Sequence, residues 1–161
     1  MTARELYQGH TLQAVDDKGR VAIPGDLRAA LEANSTSRSI MIGPHAEDPC
    51  MVAHDIEWSR IQHAEQAELK RLALIEGRPV DTRAARNLHG QLDRATCDSS
   101  WRFVLSAYQR EEFGIDGWVY FVGAAEVFEL WSPRMLIAAD HVHEGIKRKC
   151  RHLCAQKGVA L

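Results

Sequence analysis

The 161-residue chain has no apolar run approaching the roughly 20 residues that span a bilayer, so no membrane-crossing helix is expected. Residues 1–9 lack the apolar stretch and small-residue cleavage site of a signal peptide, which points to a cytoplasmic protein. Excess positive charge is also missing: 20 Lys and Arg stand against 22 Asp and Glu, a formal net charge of −2. A nucleic-acid binder with this balance must gather its cations on one face, because affinity for phosphate follows local charge rather than the chain total. There is no Gly-rich phosphate loop, no nucleophile elbow and no His/Ser or His/Cys pairing in a catalytic context. An enzyme is therefore disfavoured, and neither a cofactor nor a small-molecule substrate is expected. The four cysteines, Cys50, Cys97, Cys150 and Cys154, are expected as reduced thiols.

What is present is ordinary globular composition, 45% hydrophobic and 26% charged. Residues 7–15 alternate loosely between apolar and polar. Asp16-Asp17-Lys18-Gly19 then supplies turn chemistry, and Arg20-Val21-Ala22-Ile23 resumes the alternation, a pattern that predicts a β-hairpin. Pro24 opens a short amphipathic helix with Leu27, Ala30 and Leu31 at helical spacing. Residues 39–43 and 50–53 read as strands joined by a loop containing Pro44 and Pro49. Asp55 is placed to cap a helix over 56–74, whose Trp58, Ile61, Ala64, Leu69 and Leu72 form one apolar stripe. A shorter helix is expected over 82–88, after the break at Gly77-Arg78-Pro79 and before Gly90.

From Leu92 the order begins again. Asp98 and Arg102 stand to each other as Asp16 and Arg20 do, and at the same offset Val21 matches Phe103, Ile23 matches Leu105, Arg28 matches Arg110 and Leu31 matches Phe113. Strand-like runs at 117–122 and 127–131 answer 39–43 and 50–53, and Ser132-Pro133 opens a helix as Asp55 does. Order and apolar phase persist together, which indicates a duplicated module. From Ile137 onward the chain reads as a helical tail rich in Lys, Arg and His.

Tyr7-Gln8-Gly9-His10-Thr11-Leu12, followed by Asp16-Asp17-Lys18-Gly19-Arg20-Val21-Ala22-Ile23-Pro24, resembles the opening of MraZ-family proteins. Tyr120-Phe121-Val122-Gly123 with Phe128-Glu129-Leu130-Trp131 resembles the matching stretch of that family's second module, and Arg83, Arg86 and Gly90 resemble its linker helix. The likeness runs from about residue 6 to residue 135. It implies an α+β fold of duplicated AbrB-like β-hairpin modules, forming a small pseudo-symmetric β-barrel-like core with flanking helices. The corresponding divisions are a first module over 6–58, linker helices over 59–91, a second module over 92–135 and a basic tail over 136–161. The resemblance further implies a nucleoid-associated regulator of the division and cell-wall gene cluster that binds repeated boxes in double-stranded promoter DNA. Its polypeptides would assemble as a homo-oligomer, a ring.

In this reading Asp16, Lys18, Gly19 and Arg20 build the first DNA-contacting tip, and Asp98 and Arg102 the second. Each carboxylate would orient its guanidinium toward guanine or phosphate, with Arg28 as a phosphate contact. The bland alternative is a surface ion pair worth at most about 1 kcal/mol. Trp101 replaces Gly19, Ser100 replaces Lys18 and Ser106 replaces Pro24 in the second copy, so its turn is expected to differ in geometry, with Trp101 packing rather than stacking on a base. In the tail, His141, His143, Cys150, His152 and Cys154 offer zinc-type donors, but at no established zinc spacing, and packing is the preferred role of the cysteine pair. Lys147, Arg148, Lys149, Arg151 and Lys157 could form a nucleic-acid element, with a solvated helix end or an inter-subunit contact preferred. An antitoxin of the same fold is disfavoured by the duplication and by the lack of a long disordered C-terminal segment.

Overall fold

The computed structural model describes residues 3–161. Residues 1 and 2, the first positions of the segment read as lacking a signal peptide, lie outside the described residues. The chain runs β1 (His10–Ala14), β2 (Arg20–Ala22), α1 (Gly25–Asn34), β3 (Ser39–Pro44), β4 (Met51–Asp55), α2 (Ile56–Ile75) and α3 (Ala84–His89). It continues through β5 (Asp93–Thr96), β6 (Arg102–Val104), α4 (Ala107–Glu112), β7 (Trp118–Ala124), β8 (Val127–Trp131), α5 (Pro133–Ala138) and α6 (Glu144–Gln156).

Six strands form one antiparallel sheet in the order β1-β7-β8-β4-β3-β5, and β2 pairs with β6 in a separate two-stranded ribbon. Exchanging first-half for second-half strands and reading the sheet backward reproduces its order. The sheet ends at β1 and β5 without joining them, so the barrel-like closure expected from sequence is not found. The predicted hairpin is not formed either. The turn at residues 16–19 exists, but β1 leaves it to pair with β7 and β2 leaves it to pair with β6. A three-residue strand is too short to hold a stable hairpin alone, and the pairing with β6 sets Val21 opposite Phe103, both buried in the common core.

The ribbon-side core mixes the two halves of the chain: Val21, Ile23, Leu27, Leu31, Ile40 and Ile42 pack with Phe103, Leu105, Val119, Phe121 and Phe128. Alternation along β7 sends Val119 and Phe121 into this core and Tyr120 to the opposite face. There Leu12, Tyr120 and Trp131 are covered by Leu136 of α5 and by Cys150 and Cys154 of α6. The tail is helical as expected but broken at 139–143, and its cysteine pair is wholly buried in this layer. Burial pushes the Cys150 thiol up to about 12, so it stays protonated and apolar in character.

Helix α2 departs from the one-sided packing its stripe suggests. Only Ala73 is buried, while Leu69 is 63% exposed and Ile75 68%. Its start is firmly held. Asp55, fully buried, accepts the Trp58 backbone N–H at 2.9 Å, a 2.6 Å hydrogen bond from the Tyr7 hydroxyl and a 2.6 Å bond from Nη2 of Arg4. Burial alone would push the Asp55 pKa up, but Arg4, Tyr7 and the Trp58 N–H outweigh it and hold the carboxyl below its ordinary value.

Removing one partner of a buried ion pair leaves the other uncompensated, so Asp55→Ala is expected to cost about 3–5 kcal/mol at neutral pH in urea unfolding. Because the folded pKa is depressed, this contribution is complete above the unfolded value near about 3.9 and is lost as pH falls through the folded one. The stability gap between parent and variant should therefore close in acid. A gap that stays constant from pH 7 to pH 3 would contradict the ionised assignment.

Candidate nucleic-acid interface

The two Asp-x-x-x-Arg segments fold into turns of one design. In the first, the Gly19 N–H donates to the Asp16 carbonyl at 3.0 Å and the Asp16 N–H donates to the Arg20 carbonyl at 3.1 Å. Oδ1 of Asp16 accepts the backbone N–H groups of Lys18 and Arg20, and Oδ2 accepts Nε of Arg20 at 2.7 Å. In the second, the Trp101 N–H donates to the Asp98 carbonyl, Oδ1 of Asp98 accepts the N–H groups of Ser100 and Arg102, and Oδ2 accepts Nε of Arg102 at 3.0 Å. The different geometry expected for the second turn is thus not observed.

Trp101 achieves this by adopting a left-handed φ of 59°, where Gly19 has 84°. The conformation costs a non-glycine residue roughly 1–2 kcal/mol. Its side chain, only 9% exposed, joins the core and lies under the Arg38 guanidinium at 5.1 Å, so Trp101 is a packing residue as expected. Gly19 has no such latitude, because a Cβ there would sit 2.3 Å from the Leu105 carbonyl oxygen.

Of each arginine's guanidinium, the carboxylate engages only Nε. This orients the guanidinium plane and leaves the paired Nη edge free of any partner among the described residues. Backbone and side-chain donation from Arg20 hold Asp16 below the ordinary carboxylate range, and donation from the Arg102 backbone does the same for Asp98. Asp16 in turn strengthens the hold of Arg20 on its proton, with Asp17 and Asp98 adding to the effect.

The ribbon brings the two turns together. Arg20 faces Val104, Val21 faces Phe103 and Ala22 faces Arg102; Leu105 donates to the Gly19 carbonyl and Ile23 to the Trp101 carbonyl. Since Val21 and Phe103 point into the core, Arg20, Ala22, Arg102 and Val104 share the outer face. Arg20 and Arg102 are therefore diagonal neighbours, on the order of 7–8 Å apart for this register. Lys18 is exposed at the first turn. Arg28 lies on α1, where its side chain is 3.9 Å from Glu32.

Two residues beside this face were not singled out from sequence. Arg38 donates to the Asp98 carbonyl at 3.2 Å, and Nε of Arg110 is buried next to Gly19 without a hydrogen-bond partner among the described residues. In the sequence Arg110 stands out only as the match of Arg28, and Arg38 falls outside both repeats of the turn motif, so only the fold marks them.

No protein-family model matches the sequence. Among known proteins, the chain is similar to the transcriptional regulator MraZ of Proteus mirabilis, 31% identical over 132 residues, 81% of this chain and 82% of that protein. The chain belongs to the MraZ family. Transcriptional regulators MraZ of Idiomarina loihiensis and Citrobacter koseri are 30% and 31% identical over 128 residues each, with 79% and 78% of this chain covered, and 80% and 79% of theirs. The MraZ similarity supports a transcriptional regulator as the broad class, and no helix among the described residues is long and apolar enough to cross a membrane.

In this MraZ-family turn, packing should outweigh backbone strain. Trp101→Gly removes the φ penalty of roughly 1–2 kcal/mol but also the buried indole, and is expected to destabilise by about 1–4 kcal/mol in denaturant unfolding. Gly19→Ala meets both steric contact and positive φ, and should cost at least about 1–3 kcal/mol. A stabilised Trp101→Gly would show that the strain dominates instead.

Proposed function

We propose that this chain is a sequence-specific DNA-binding transcriptional regulator, cytoplasmic and nucleoid-associated, that acts on repeated promoter boxes of the division and cell-wall gene cluster. The observation that carries the reading is the convergence of both Asp–Arg pairs on the outer face of one ribbon, each with a free Nη edge. A two-stranded ribbon fits a B-DNA major groove, where an arginine fork meets O6 and N7 of guanine bidentately. Asp16 and Asp98 pre-orient the forks, so less side-chain entropy is lost on binding. Lys18 reaches phosphate from the first turn, where Ser100 offers no cation in the second, and Arg28 adds a register-fixing phosphate contact.

In this proposal the two halves are related AbrB-like modules over 6–58 and 92–135, with linker helices over 59–91 and a tail over 136–161. Asp16, Asp17 and Asp98 share the ribbon's surroundings with its cations, so one chain should bind weakly. Homo-oligomerisation into a ring on repeated boxes supplies avidity without new contacts. The exposed Leu69, Leu74 and Ile75 of α2 support this assembly, as apolar surface left uncovered by the described residues.

The test is a mobility shift on the DNA upstream of the protein's own gene. Arg20→Ala should weaken binding roughly 5- to 100-fold, and Arg102→Ala by less, with both variants folded by circular dichroism. A folded Arg20→Ala variant that binds as tightly as the parent would refute the assignment.

A further inference from the structure

We propose that Val104 is a specificity residue that reads a thymine methyl beside the guanine met by Arg20. The inference rests on the ribbon being the DNA-contacting element. On the outer face each arginine stands directly opposite an aliphatic residue of the other half, Arg20 opposite Val104 and Arg102 opposite Ala22. Val104 is 55% exposed, whereas Phe103 and Leu105 on either side of it are buried. Its isopropyl group therefore faces solvent between two cationic groups.

Of the features that base pairs present in the major groove, the C5-methyl of thymine is the one complementary to an exposed alkyl group; the others are hydrogen-bond donors and acceptors. Directly opposed residues have Cβ atoms about 5 Å apart, and base pairs stack at about 3.4 Å. Val104 thus lies one to two base-pair steps from whatever base Arg20 engages. Desolvating an apolar methyl against an apolar side chain is favourable, while the same valine against an amino or keto group would strand a polar atom. The equivalent position in the other turn, Ala22, is smaller and half-buried, so it makes less of this contact. The two sides of the ribbon consequently prefer different bases beside their guanines, with Val104 the more demanding.

Full-length protein is used to select duplexes from a randomised pool, and the thymines of the selected site are then replaced singly by deoxyuridine, which deletes only the methyl. Parent protein should lose about three- to fivefold in affinity at one thymine within two base pairs of a conserved guanine. Val104→Ala should bind thymine and uracil versions alike at that position. If Val104 serves only strand propensity, Val104→Ala weakens binding to both versions equally and retains the methyl preference, which overturns the proposal. So does a shift in oligomeric state with methyl discrimination unchanged, since that would place Val104 in a contact between copies. Methyl deletions that are neutral everywhere, while Arg20→Ala abolishes binding, refute the methyl readout alone. Selection of no duplex, or of the same duplex by Arg20→Ala, refutes the ribbon reading itself.

Discussion

Everything at the candidate interface depends on β2 pairing with β6 rather than with β1. Two three-residue strands, each from one half of the chain, exchange hydrogen bonds and bury Val21 against Phe103. The flanking bonds, Leu105 to Gly19 and Ile23 to Trp101, extend this pairing into both turns. Had each turn closed a local hairpin, Arg20 and Arg102 would sit on separate edges with no defined relation. The cross-pairing makes them diagonal neighbours on one face, and it makes the core common to both halves.

The two turns reach the same hydrogen-bonded shape by different means. Gly19 is permissive and sterically required, because the Leu105 carbonyl occupies the space a Cβ would need. Trp101 accepts an unfavourable backbone conformation and offsets it by core burial and by the Arg38 stack. Sequence divergence at this position therefore changes what surrounds the second turn, not its geometry. For the proposed DNA contact the larger difference is Ser100, which offers no cation where the first turn has Lys18, since phosphate attraction depends on local charge.

Behind the sheet, α6 closes the second hydrophobic layer with Cys150 and Cys154 and turns Arg148, Lys149 and Arg151 outward. The cysteines belong to packing, with their thiol pKa values raised by burial. Helix α2 is held at its N-terminus by the Arg4–Asp55–Tyr7 network and bare along much of its C-terminal half. A helix anchored at one end and apolar at the other is suited to contacts that a single chain does not supply.

Local chemistry was legible in the sequence where a side chain acts on its own neighbourhood. Aspartates four residues before an arginine specified both turns, Asp55 specified the start of α2, and Pro24 and Gly90 marked helix ends, because capping and turn formation are decided within a few residues. The Asp98 turn was legible too, but its shape was not, since the burial that compensates Trp101 is contributed by residues distant in sequence. Strand partnership was illegible for the same reason: β1 and β2 alternate as a hairpin would, and period-two patterning states which face is buried but not against which strand. The tertiary structure alone decided that β2 meets β6, that the sheet stays open, and that Arg20, Arg102, Ala22 and Val104 share one surface. The sequence determined the pieces because turns and caps are short-range; their assembly required long-range burial, which no local pattern encodes.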